Sequence, residues 1–442
     1  LISQKTKIVG ISVMSGYSIL EALEISQYIK NNMPWINIVW GGPHPTFSPK
    51  ETLEEKNIDF AIKGYGSQAF YELVTSIIKP NNENWKKNIP GLIWRNKNHK
   101  IHINEIIPEF EFIDFKDIPY PLIDKIDTYR HFNNEIVFPM YSVMGCPYKC
   151  GFCSSPALYS KIQTKWAPYP VDNIVNHIKF VVEKYNASLI YFIDDDSFVD
   201  FKHVENIIDK IKKEKIQVKL GFRGTRINEI LKMNDSFIKK LADAGTKSMH
   251  IGVESGSNRI LSLMNKNITV TDIIIANKKL AKYPEINVFY NFITGYPTET
   301  LKETKETRNL ILKLMKDNPT AIIIPLNKPR PLPETKLYTL ALEHGYKPPK
   351  TLKEWGYYDV ESDNYNPIWL SKKHNKFIRM MFLCMYFIDN KIIKLNFNKF
   401  SALKIIIQIY KPIALFRFKY GCYQLLIEDK IYKLVNKYWK KA

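Results

Sequence analysis

The chain reads as an α/β protein in three parts: a small open parallel sheet, a partial barrel of six β/α units, and a basic, mainly helical C-terminal extension. Three observations predict this. Short apolar runs suited to buried strands alternate with amphipathic helical patterns over residues 1–80, and again from Ile136 to about 346. A polar, proline-containing, weakly periodic stretch, 81–135, separates the two series. From 347 to 442 long apolar segments are interleaved with lysine and arginine.

In the first part, residues 7–13 and 36–40 read as strands around an amphipathic helix at 18–31. Gly41, Gly42, Pro43, His44 and Pro45 follow, then a helix from Pro49, a short strand at 59–63, the turn Gly64-Tyr65-Gly66 and a helix from Ser67. Ligands of open parallel sheets gather beyond the carboxyl ends of the strands. Those ends are 12–15, 41–44 and 64–67, where glycines let a bulky ligand approach the backbone. In the linker, "GLIWRNKNHKI" predicts a hairpin.

In the second part six strands are expected, at 136–143, 187–193, 218–222, 248–253, 287–294 and 321–325. Helical patterns fill the gaps, among them 170–185 and 236–244, the latter stopped by Gly245. Such units close into an open barrel with its chemistry at the carboxyl ends of the strands.

Cys146, Cys150 and Cys153 follow the first of these strands within eight residues. Thiolates bind soft metals and iron–sulfur clusters, and three on one tight loop hold three corners of a four-iron cluster while one iron stays open to a ligand. Two plainer readings compete. A structural zinc site wants four ligands, and His131 and His177 lie far from zinc-finger spacing. A disulfide with one spare thiol is the other, but five cysteines, an odd number, argue for a reducing, cytoplasmic compartment.

At 442 residues, 45% hydrophobic and 24% charged, the chain can bury cores in two or three domains. No apolar run approaches the roughly 20 residues that span a bilayer, and the first ten residues carry no signal-peptide pattern. The chain begins on Leu1 and opens almost at once on a strand, which leads us to expect a further N-terminal piece. Of the net charge of +20, residues 371–442 hold +13, from 16 lysines and arginines against Asp389, Glu428 and Asp429. Two readings of this tail stand: amphipathic helices that cover the barrel, which is favoured, or helices lying on an anionic membrane surface, which would make the substrate lipid-like. Cys384 and Cys422 sit in its apolar stretches and read as inert buried thiols. A zinc-holding nucleic-acid binder is a rival function, but the tail lacks any known reader pattern, and no nucleic-acid partner is expected.

The cysteine spacing, with Phe152 just before the last Cys, resembles the signature of radical S-adenosylmethionine (radical SAM) enzymes. "VGISVMS", "IVWGGPHPT" and "DFAIKGYGSQAFYEL" resemble the later half of the cobalamin-binding domain that precedes many of them, and "DIPYPLID" the lead-in to the barrel. The resemblance implies a partial Rossmann-like cobalamin-binding domain over 1–80, a radical SAM barrel over 136–346, and three cofactors: a [4Fe-4S] cluster on the cysteines, S-adenosylmethionine (SAM) and cobalamin. It implies Ser12, Gly41, Gly42 and Gly64 around cobalamin, Asp194 and Asp195 near the SAM amine, and Arg226 near its carboxylate. From "HIGVESGS" it implies Glu254 on the ribose hydroxyls, with Ser255 beside it. "FITGYPTET" looks like the adenine-side turn and "PRPLPETKLY" like the loop after the last strand.

Two departures stand out. Tyr65 and Ser67 replace the Glu usual in the family, and the strand that would carry an Asp-x-His-x-x-Gly cobalt-ligating motif is not in the sequence. The bland readings are a half domain that binds nothing and an acidic helix cap at Asp194–Asp196. The resemblance implies reductive cleavage of SAM to a deoxyadenosyl radical, with electrons from a flavodoxin- or ferredoxin-type donor, and methyl transfer to an unactivated carbon of a small or lipid-like substrate. A cyclase, and a sensor without turnover, are the alternatives.

Overall fold

The computed structural model describes residues 5–79, 85–106, 126–130, 135–159, 166–358, 367–392, 401–424 and 429. The lead-in "DIPYPLID" and the end of the tail lie outside them.

Strands β1 (Ile8–Ser12), β2 (Asn37–Gly41) and β3 (Phe60–Ile62) pair in parallel, and β4 (Leu92–Arg95) and β5 (Ile101–Ile103) extend the sheet antiparallel. Side chains alternate across a strand, so Ile38 and Trp40 enter one core with Ile19, Ala22 and Ile29 of the helix Ser18–Asn32. Val39 enters another with Ala69 and Leu73 of the helix Gly66–Ile78. The hairpin expected between the two α/β series is present, but it is an edge of this sheet. Its apolar run Leu92–Trp94 is buried against β3.

The second sheet runs β6 (Ile136–Met140), β9 (Ala187–Phe192), β10 (Lys219–Arg226), β11 (Thr246–Glu254), β12 (Asn287–Phe292) and β13 (Ala321–Ile323), all parallel. These are the six strands the sequence predicts. A short antiparallel pair, β7 (Val143–Gly145) and β8 (Trp166–Pro168), was not foreseen. Phe138, Phe192, Phe222, Met249, Ile251 and Tyr290 point outward into the large core beneath the helices, each burial stabilising by about 1.5–3 kcal/mol. The intervening residues Tyr191, Gly221, His250, Gly252 and Phe289 share the opposite, concave face by strand parity.

The tail divides. The helix Lys372–Ile388 buries Phe377, Met380, Met381, Cys384 and Met385 in the barrel's core, the cover expected of it. The helix Ser401–Tyr420 adds Ala414 and Phe418 to that core but leaves Ile409, Ile413, Phe416 and Tyr420 exposed. Cys384 is buried as expected; Cys422 is only partly so, because it lies in the turn after that helix. The helix Leu352–Tyr357 returns to the first sheet, where Leu352 and Trp355 join the core with Ile19 and Trp40. Among the described residues no helix is long and apolar enough to cross a membrane.

Candidate active site

The cysteine loop leaves β7 through Gly145, whose φ of +85° suits glycine, and is pinned from two sides. The Gly151 amide donates to the Met264 carbonyl at 2.8 Å, and its own carbonyl accepts from Leu337 N at 2.8 Å. Asn265 Nδ2 donates to the Lys149 carbonyl at 2.6 Å. All three thiols are free. Burial pushes the Cys146 thiol up to about 12 and raises Cys153 as well, so neither ionises at neutral pH without a cationic partner. The irons of a cluster are such a partner. Among the described residues no three Cys, His, Asp or Glu side chains gather closely enough for one metal ion. A four-iron cube is a different demand, because it binds each thiolate at a separate corner. Phe152 lies against Ile260, Met264, Tyr296 and Leu337, wedging the loop onto the barrel.

The acids after β9 have three different environments. Asp194 is buried and accepts from Ser142 N at 2.7 Å, Ser142 Oγ at 2.6 Å, Val143 N at 3.2 Å and Ser197 Oγ at 2.8 Å. This carboxylate fastens the root of the cysteine loop to the next strand and is not open to a SAM amine, which corrects that expectation for Asp194. Burial lifts its pKa against the four donors. Asp195 is exposed and stands at the crevice described below. Asp196 is buried against Glu229, and burial followed by that neighbouring charge pushes it up to about 9. Its Oδ2 is buried without a partner, and burial raises Glu229 beside it as well.

Arg226 ends β10, but its guanidinium points at the cysteine loop. Nη1 donates to Cys150 Sγ at 3.1 Å and Nη2 to the Lys266 carbonyl at 3.2 Å, while Nε is buried without a partner. Glu254 has a φ of +70° and is buried. Lys266 Nζ lies 2.8 Å from its Oε1, both side chains under a tenth exposed. A Cβ on Gly252 would fall 2.3 Å from that oxygen and 2.6 Å from Lys266 Nζ, so a side chain there would displace the pair. Ser255 Oγ lies 3.4 Å from Thr307 Oγ1 and accepts from Ser257 N, bracing the turn into the next helix.

Sequence reasoning missed Lys266, which carries no motif, and Arg223. Arg223 is exposed, makes no hydrogen bond or ion pair among the described residues, and its charge is felt by Tyr141, Tyr191 and His250. Its parity with Gly221 on β10 was the available signal. His250 stacks on Phe289 at 4.5 Å and meets Tyr191 edge-on, and burial, then Arg223, lowers it to about 4, so it is neutral.

The two sheets face each other across a cavity of about 820 Å³. One wall is made of Ser12, Gly41, Gly42, Gly64, Tyr65 and Phe70 at the strand ends of the first sheet; the other is Tyr141, Val143, Gly145 and Asp195 at the root of the cysteine loop. The structure thus brings the expected glycines to one crevice. Gly42, at φ +92°, lies so close to Ser12 that a Cβ would sit 2.8 Å from its hydroxyl, whereas one on Gly41 would meet nothing within 4 Å. His44 is buried beside the crevice, with Nδ1 on Ser15 Oγ at 3.0 Å.

Residues 140–311 match the family model of the Radical SAM superfamily, and residues 1–74 that of the B12 binding domain. The chain is therefore a radical SAM enzyme with a B12-binding domain ahead of its barrel. Such domains work with a four-iron cluster, SAM and cobalamin. An uncharacterized methyltransferase of Pyrococcus horikoshii is 28% identical over 76% of this chain and 69% of its own length. The anaerobic magnesium-protoporphyrin IX monomethyl ester cyclase of Rubrivivax gelatinosus is 24% identical over 69% of this chain, which spans only 53% of that protein. The cobalamin-dependent S-adenosylmethionine radical enzyme OxsB, solved with aqua-cobalamin and S-adenosylmethionine bound, superposes with a TM-score of 0.71 at 18% identity, over 98% of this chain and 67% of its own. That likeness bears on the fold alone.

Proposed function

We propose that the chain holds a [4Fe-4S] cluster on Cys146, Cys150 and Cys153 and cobalamin in the crevice between its sheets, and methylates an unactivated carbon of a small or lipid-like substrate. The observation that carries this is the crevice itself. It sets the glycine-lined ends of the first sheet opposite the root of the cysteine loop, so that a large cofactor held by one faces the mouth of the other. When bound, the cluster and SAM supply a carbon radical and cobalamin supplies a methyl group; the organic chemistry is theirs.

The protein's own residues position and shield. Asp194 and Gly145 fix the direction of the loop. Glu254, held by Lys266 at the end of β11, stands where ribose hydroxyls would be received. Asp195, exposed at the crevice, is the remaining acid for the SAM amine. Arg223, neutral His250, Tyr191 and Phe289 line the concave face with a cation and aromatic walls, which suits a substrate with an unsaturated body and an anionic group. Electrons come from a flavodoxin- or ferredoxin-type donor. A cyclisation without methyl transfer is the second reading, favoured by the likeness to the porphyrin ester cyclase.

The test is anaerobic reconstitution with iron, sulfide and cobalamin, followed by SAM and dithionite. Deoxyadenosine and a methylated product are expected from extracts of the source cell. Deoxyadenosine without methylation favours the cyclase reading, and one equivalent of zinc with no brown chromophore defeats both.

A further inference from the structure

We infer that Arg226 tunes the iron–sulfur site as a positioning residue, by donating a charged hydrogen bond to the sulfur of Cys150. The inference rests on the cluster reading above and goes beyond it, since the guanidinium would govern how readily the cluster takes up an electron. Arg226 is 7% exposed and Cys150 8%. Nη1 lies 3.1 Å from Sγ, Nη2 is anchored on the Lys266 carbonyl, and the guanidinium carbon stands 3.8 Å over the Tyr148 ring, inside the same loop. Tyr148 is held in turn by its hydroxyl on Glu229 at 3.0 Å, and Glu229 accepts the backbone N–H of Arg226 at 3.1 Å. The fork is thus fixed from three directions with one N–H aimed at a ligand sulfur.

A surface ion pair would be screened and weak. Arg226 is not one: among the described residues no carboxylate lies within ion-pair distance of it, and its Nε is buried without a partner. A buried cation donating to a cluster sulfur stabilises the negative charge that arrives with an added electron, and so raises the reduction potential. The low dielectric of the site enlarges that effect.

The experiment is an EPR-monitored redox titration of the reconstituted holoenzyme as wild type, R226M and R226K. Wild type and R226M are expected to carry equal iron and sulfide. The R226M midpoint is expected to move to lower potential, with the reduced-to-oxidised ratio at a fixed potential falling about tenfold, equivalent to about 59 mV for one electron. R226K, which offers one ammonium in place of the fork, is expected between the two. A filled R226M cluster at the wild-type midpoint overturns the inference. So does loss of the cluster from both variants, which would make Arg226 a brace for the loop and nothing more. Should R226M alone lose its cluster, a wild-type midpoint in R226K overturns it equally. A wild type that takes up no cluster overturns the function proposed above instead.

Discussion

The Lys266 ammonium forms an ion pair with Glu254 and lies 5.8 Å from the centroid of the Phe152 ring, and both members of the ion pair are withdrawn from water. Removing one member of such a pair strands the other's charge, which costs about 3–5 kcal/mol, far more than the pair itself contributes. K266M is therefore expected to unfold at a markedly lower urea concentration, and K266M combined with E254Q to recover most of the loss. Equal destabilisation of the single and double variants would show that the two side chains are not coupled. Nothing in the sequence near Lys266 forecasts this, because its partner lies 12 residues away across a strand end and a helix. Glu254 itself was legible, since it stands in a motif. Glu299 gives the pH-dependent counterpart. It accepts from the amides of Gly295 and Tyr296 and from Thr304 Oγ1, whose oxygen also meets His374 Nε2 at 2.6 Å. Burial outweighs these donors and lifts its pKa from 4.5 to about 7. A pKa raised by folding means the folded state favours the protonated form. The contribution is full below 4.5 and is lost as pH rises through about 7. The thermal midpoint of E299Q is expected to fall less than that of wild type across this window; parallel curves would refute the shift.

At the scale of elements, the six barrel strands were legible because each is a short run of β-branched or aromatic residues, three of them followed directly by Asp194, Glu254 or Gly295. The β7–β8 pair was not, since three-residue strands leave no periodicity and their pairing is set by the loop they flank. The tail helices were recognisable as amphipathic, but amphipathicity does not name the partner. The helix Lys372–Ile388 resolves this through Phe377, fully buried in the barrel's core. F377A should cost about 3–5 kcal/mol as a cavity opens, measured as a lowered urea midpoint. Ile409 is 70% exposed on the following helix, and I409S should change stability by no more than about 0.5 kcal/mol. A large loss in I409S would mean that this face too is covered in solution.

Over the whole molecule, the first sheet and the barrel are tied by chain that has already completed the barrel: Leu352 and Trp355 pack with Ile19 and Trp40, and Arg330 Nη2 reaches the carbonyls of Ser15 and Tyr358. The crevice is therefore a property of the assembled chain. Local motifs predicted its two walls separately, and long-range contacts from the chain after the barrel, Arg330 and the return of 352–357 among them, set them opposite each other. Gly41 offers a way to fill that space without disturbing either wall. It ends β2 outside the left-handed region, and an added Cβ meets nothing within 4 Å, so a larger side chain there projects into the cavity. Gly42 next to it has no such freedom, with its positive φ and with Ser12 and Val13 at contact. G41L is expected to fold with wild-type stability, within about 0.5 kcal/mol. It should retain its iron and cleave SAM to deoxyadenosine, while cobalamin retained after gel filtration drops about tenfold or more, as for roughly 1.4 kcal/mol or more of lost binding, and methylated product disappears. The first two outcomes isolate the barrel, and the last two belong to the crevice. Wild-type cobalamin retention in a folded G41L would move the cofactor out of the space between the sheets, because a leucine side chain at the end of β2 cannot share that space with a corrin ring.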